Sequence, residues 1–127
     1  MLSHVTIGTN DVERARRFYA AILDIIGGQE MSMGVSGERC SFARGPAEPM
    51  IVVTKPFDGQ PATNGNGMMI GLRCKDKAEV QAVYDKAIEM GAASEGEVGP
   101  RGDSQQFYGG YFRDLDGNKL SAFTMNQ

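Results

Sequence analysis

The chain of 127 residues contains no tryptophan and one histidine, His4. A single imidazole rules out the two-histidine, one-carboxylate iron arrangement, and exchanging halves between two copies would not change the residue types available to each site. Cysteine is almost as scarce. Cys40 and Cys74 lie far apart with no close-spaced Cys or His partner, so neither a zinc motif nor a redox pair is indicated, and two buried free thiols are expected. No segment approaches the roughly 20 apolar residues of a membrane span. The start, Met1-Leu2-Ser3-His4-Val5-Thr6, carries neither a basic region nor an apolar signal core, which makes the cytoplasm the expected compartment. Positive charge is also short: 13 Lys and Arg face 16 Asp and Glu, for a net charge of -3. No basic stripe is available to neutralise a phosphate backbone, so nucleic acid is not an expected partner.

What is present suits one globular domain. Apolar residues make up 41% and charged residues 23%, ordinary proportions for a chain that builds a single core. Val5 and Ile7 alternate with His4 and Thr6 as in a half-buried strand. Asn10 with Glu13 resembles a capping box, and Ala15, Phe18, Tyr19, Ile22 and Leu23 recur at helical spacing until Gly27 and Gly28. Strand patterns follow at 29–34, 38–44 and 50–55, each bounded by Gly or Pro.

After residues 56–67, rich in Gly, Asn and Pro, the pattern restarts. Met69-Ile70-Gly71-Leu72 reads as a strand, Asp76 and Glu79 open a helix, Gly91 ends it, and strands follow near 94–99, 107–114 and 119–124. A shift of 65 positions carries Ala15, Phe18, Tyr19, Ile22 and Leu23 onto Val80, Val83, Tyr84, Ala87 and Ile88, and Asp11 onto Asp76. The chain is therefore expected to be α+β, one domain over 1–127 made by internal duplication of a βαβββ module: module one at 1–55, a linker at 56–67 and module two at 68–127.

A strand with His4, an Asp-opened helix holding Phe18-Tyr19, and the late turn Arg113-Asp114-Leu115-Asp116-Gly117-Asn118 together resemble the vicinal oxygen chelate superfamily of glyoxalase I, bleomycin-resistance proteins and extradiol dioxygenases. The turn usually reads Asp-Pro-Asp-Gly-Asn there, with Leu115 here in the Pro position. The resemblance implies curled mixed sheets that form a cleft for a small molecule, helices outside, and a homodimer that in some relatives builds each site from modules of different chains.

The same resemblance implies four metal-ligand positions, and this chain fills them poorly. They fall on His4, on Ile51 or Val52, on Met69, and on Ser121. Aliphatic side chains cannot bind a metal, a thioether suits hard divalent ions poorly, and a serine hydroxyl is a weak neutral ligand. The carboxylate base of a glyoxalase-type proton transfer is missing with the Glu that Ser121 replaces. The expected function is metal-free binding of a small molecule, with no cofactor. The alternative is a lyase or isomerase with an atypical divalent-metal site at His4, completed by Glu38 or Glu48. His4 also reads as a polar cleft residue hydrogen-bonded to Ser121 or to backbone.

Alternation from His4 puts Thr6, Met69, Gly71, Ser121 and Phe123 on the cleft side, with Val5, Ile7, Ile70, Leu72 and Leu120 toward the helices. Tyr111 and Arg113 point inward, and Phe107 and Tyr108 stand at the entrance. Aromatic walls with one arginine suit a small planar or anionic ligand. Two plainer readings stand beside this: Tyr111 fills the core, and Arg113 pairs with Asp114 or Asp116. Met31, Met33, Met68 and Met69 could line an apolar pocket. Residues 100–106 read as a polar rim loop with Arg101 at the cleft mouth.

Overall fold

The computed structural model describes residues 1–31, 37–103 and 106–125. The chain order is β1 (His4–Gly8), α1 (Val12–Asp24), β2 (Gln29–Met31), β3 (Arg39–Ala43), β4 (Met50–Thr54), β5 (Ile70–Arg73), α2 (Lys77–Glu89), β6 (Ala93–Arg101), β7 (Phe107–Arg113) and β8 (Lys119–Met125). Two βαβββ units are present, as the repeat predicts. The sequence pattern 29–34 extends past the described part of β2, so its end, including Met33, lies outside the described residues.

Each unit forms one four-stranded sheet, ordered β1-β4-β3-β2 and β5-β8-β7-β6. The helix carries the chain to the far edge, and antiparallel hairpins bring it back so that the last strand pairs in parallel with the first. That order places the opening strands β1 and β5 at sheet edges. It also gives equivalent positions: Thr6 lies beside Val52 and Val52 beside Ser41, just as Gly71 lies beside Ser121 and Ser121 beside Tyr111.

The helices form where the periodicity predicts them, but the first cap differs. Asp11, not Asn10, is the N-cap of α1 and accepts from the Arg14 amide at 3.0 Å. Asn10 is engaged elsewhere, accepting from the Ala62 amide at 2.7 Å and donating to the Ala62 carbonyl at 3.3 Å, which straps residues 56–67 to the end of β1. Asp76, the position 65 residues on, caps α2 by accepting from the Glu79 amide at 2.8 Å. Both helices end in a glycine with positive φ, Gly27 at +84° and Gly91 at +107°, where a β-carbon would be strained.

Ala15, Phe18, Tyr19, Ile22 and Leu23 are all buried, and so are Val80, Val83, Tyr84 and Ala87; Ile88 is exposed, contrary to the repeat. Their partners are the helix-facing residues of the sheets, among them Ile7, Phe42, Val53, Leu72, Phe112 and Leu120, in one cluster that spans both units. Strand β6 runs on to Arg101, so Pro100 and Arg101 belong to a strand rather than to a rim loop. Pro100 is tolerated because β6 is an edge strand, whose free side asks for no amide donor. Ser104 and Gln105 of that loop lie outside the described residues.

The units are joined by the 113–118 turn. The buried Asp114 carboxylate accepts from the Tyr19 hydroxyl at 2.5 Å, from the Asp116 and Asn118 amides at 2.9 Å each, and from the Asn118 side chain at 3.0 Å. Asp116 accepts from the Thr9 hydroxyl at 2.5 Å and the Asn10 amide at 3.0 Å, and pairs with Arg14 at 3.3 Å. Asn118 donates to the Gly8 carbonyl at 3.0 Å. Leu115 packs against the core, and a β-carbon at Gly91 would sit 3.2 Å from its methyl, so this residue closes the end of α2.

Burial, and secondarily the Asp114 carboxylate, holds the Tyr19 phenol well above its ordinary value of 10. Burial pushes the Cys40 and Cys74 thiols up to about 11 from 9.0. These groups stay protonated in the fold while the unfolded chain ionises, so the stability they contribute is whole below pH 9.0 and is lost as pH rises through about 11. Urea unfolding should therefore show a stability that falls between pH 9.0 and 11, with a shallower fall in a Cys40→Ala/Cys74→Ala variant. A stability unchanged across that range would contradict the burial of these groups.

Candidate functional site

Strand pairing assigns every residue to one of two sheet faces, since directly paired residues point the same way. The faces turned away from the helices carry His4, Thr6, Val52, Ser41 and Arg39 in the first sheet. In the second sheet they carry Gly71, Arg73, Arg101, Phe107, Tyr111, Arg113, Lys119, Ser121 and Phe123. Ile51 pairs with Val5 on the helix side, so the register selects Val52 as the equivalent of Ser121.

Thr6 and Met69 come together. With Gly8, Asn64, Met68 and Lys119 they line a cavity of about 160 Å³ between the edges of β1 and β5. Thr6 also lines a larger cavity of about 470 Å³ with Arg39, Thr54, Phe57 and the strap residues Ala62 and Thr63. A third space, also about 470 Å³, opens on the helix side between Val5, Ile51, Ile70 and Leu72.

His4 is exposed, and its Nδ1 is 2.9 Å from the Ser3 hydroxyl, so its hydrogen-bond partner is its chain neighbour rather than Ser121. Glu38 is drawn to Lys55 at 3.9 Å, and Glu48 lines the helix-side space, so neither carboxylate completes a site at His4. Among the described residues no group of three or more His, Cys, Asp or Glu side chains is placed to hold a metal ion.

The second sheet gathers Tyr111, Arg113, Ser121 and Phe123 on one face, as the alternation predicts. Tyr108 is not with them. It packs against the core from the helix side of β7, with the Lys77 ammonium 5.0 Å from its ring centroid. It lies three positions from Tyr111, an odd step along the strand, so the two cannot share a face.

Arg113 donates to Glu95 at 2.9 Å and to the Gly117 carbonyl at 3.1 Å, and its partner is therefore neither Asp114 nor Asp116. Tyr111 is half-buried with two cations near its ring, the Arg101 guanidinium at 5.1 Å and the Lys119 ammonium at 5.5 Å from the centroid. Phe107 and Phe123 stack at 5.7 Å with an interplanar angle of 21°. Lys119 was not singled out by the sequence reading, although it stands two residues before Ser121 in the alternation that found Ser121 and Phe123. Ser41, also missed, is wholly buried beside Val52, and its hydroxyl has no partner among the described residues.

Comparison with known proteins agrees with this geometry. A family model described as the Glyoxalase/Bleomycin resistance protein/Dioxygenase superfamily matches residues 1–121. A glyoxalase/bleomycin resistance protein from Albidiferax ferrireducens is 32% identical, with 98% of each chain covered and a TM-score of 0.86. The fosfomycin resistance protein FosX from Mesorhizobium loti is 19% identical over 98% of this chain and 91% of its own, with a TM-score of 0.71. Lactoylglutathione lyase from Agrobacterium tumefaciens is 18% identical over 98% of this chain and 92% of its own, with a TM-score of 0.66. The last two share the fold alone. No protein of curated function matches the sequence significantly.

Proposed function

Because the chain belongs to the glyoxalase/bleomycin resistance protein/dioxygenase superfamily, we propose that it binds a small molecule, without a metal ion, on the sheet faces turned away from the helices. The observation that carries this reading is the donor set. The four positions that resemblance assigns to metal ligands are the exposed His4, the buried Val52, the thioether of Met69 and the hydroxyl of Ser121. One imidazole with one alkyl, one thioether and one alcohol does not fit a catalytic divalent ion, which needs several nitrogen or carboxylate donors to stay bound. No step of a reaction is therefore routed through a metal.

The remaining surface supports ligand binding by ordinary side chains. Tyr111, Phe123 and Phe107 offer flat apolar area, and Ser121 a hydroxyl beside Tyr111.

We further propose that the molecule is a homodimer in which these faces meet. Large apolar side chains stand exposed in this region, Met69 at 47%, Phe107 at 38% and Met125 at 43%, with Phe57 fully exposed on the strap. Monomers rarely leave such groups uncovered together. The two free buried thiols support a reducing compartment such as the cytoplasm.

The metal question is tested by mass spectrometry of untagged protein after incubation with nickel, zinc, manganese and iron and then desalting, with His4→Ala alongside. The expected result is no retained metal in either protein; near-stoichiometric metal lost in His4→Ala would establish the atypical metal site of a lyase or isomerase instead. Sedimentation equilibrium of the same sample should give twice the 13.7 kDa chain mass, and a monomer at high concentration would contradict the shared face.

A further inference from the structure

The cations on the second sheet are not balanced alike. Arg113 is held by Glu95, but Arg101 donates to the carbonyls of Pro100 and Glu97, and neither Arg101 nor Lys119 has a carboxylate partner among the described residues. Both are half-buried, and both are aimed at the Tyr111 ring from different strands, β6 and β8. Arg101 pairs in register with Phe107, four residues from Tyr111, so its side chain runs back along the sheet to reach that ring. Glycines clear its route. A β-carbon at Gly96 would lie 3.4 Å from one guanidinium nitrogen and 3.2 Å from the Tyr111 ring, and one at Gly99 would lie 3.4 Å from the other nitrogen. Two cations without a carboxylate partner among the described residues are thus gathered beside one ring, whose negative faces attract them.

From this geometry we infer that the ligand is a small arene carboxylate, its carboxylate between Arg101 and Lys119 and its ring on Phe123. This inference rests on the small-molecule reading above and names the class of ligand. The spacing suits it. Ser121 lies beside Tyr111, and Phe123 is two residues further along β8, about 7 Å by the rise of a strand. That separation matches an anionic head and an adjoining flat ring. Ser121, buried, lies between the two ends. An anion near two partly desolvated cations gains charge-assisted hydrogen bonds that a neutral ligand of the same shape cannot make. A cationic ligand would meet Arg101 and Lys119 with like charge.

Isothermal titration calorimetry with 2-naphthoate and with 2-naphthamide, at low salt, tests the inference on the intact chain. The carboxylate should bind at least about tenfold more tightly than the amide. Arg101→Gln/Lys119→Gln should remove that preference, and Lys119→Gln alone should remove part of it. Equal binding of the two probes, or a preference that survives the double substitution, would overturn the arene-carboxylate inference and leave small-molecule binding standing. Failure of both probes to bind at millimolar concentration would overturn the binding reading of this face as well.

Discussion

The buried carboxylate of Asp114 is the constraint on which the arrangement of the molecule depends. It stands in the turn between β7 and β8, and it is saturated by two amides of its own turn, the Asn118 side chain and the Tyr19 hydroxyl from the other unit. A buried carboxylate with fewer donors would carry a large desolvation cost, which these four bonds offset. Because the turn also holds Asp116 against Thr9, Asn10 and Arg14, the position of β8 relative to β1 is fixed by polar contacts of definite length and direction. Apolar packing between α1 and the sheets supplies more area, but it does not specify register in this way.

Duplication explains why the two sheets are alike, and divergence at equivalent positions explains why their open faces are not. Thr6, Val52 and Ser41 in one sheet correspond to Gly71, Ser121 and Tyr111 in the other. The first face is small and mixed in polarity. The second has lost bulk at Gly71 and gained an aromatic ring with cations beside it. A ligand held against both faces would meet chemically distinct walls.

Much of this was legible in the sequence because the governing patterns are local. The period of two along 119–123 put Ser121 and Phe123 on one face, and the helical period buried Phe18, Tyr19, Ile22, Val80 and Val83. The repeat itself held one correction: Asp11 aligns with Asp76, and both are N-caps, whereas Asn10 is drawn off by Ala62 from a segment far along the chain. The partners of Arg113 and His4 were not legible. Glu95 meets Arg113 through strand pairing across β6 and β7, and Ser3 reaches His4 through a side-chain rotation that periodicity does not encode. Tyr108, three positions from Tyr111, lies on the opposite face of β7 and packs against the core.

The most direct test of the account is a double-mutant cycle of Tyr19→Phe and Asp114→Asn, read by urea unfolding. If the carboxylate couples the two units, the cycle should give an interaction energy of about 1–3 kcal/mol between residues that belong to different modules. Additivity of the two substitutions to within about 0.5 kcal/mol would mean that this contact does not hold the units together, and the placement of the two sheet faces would need another cause.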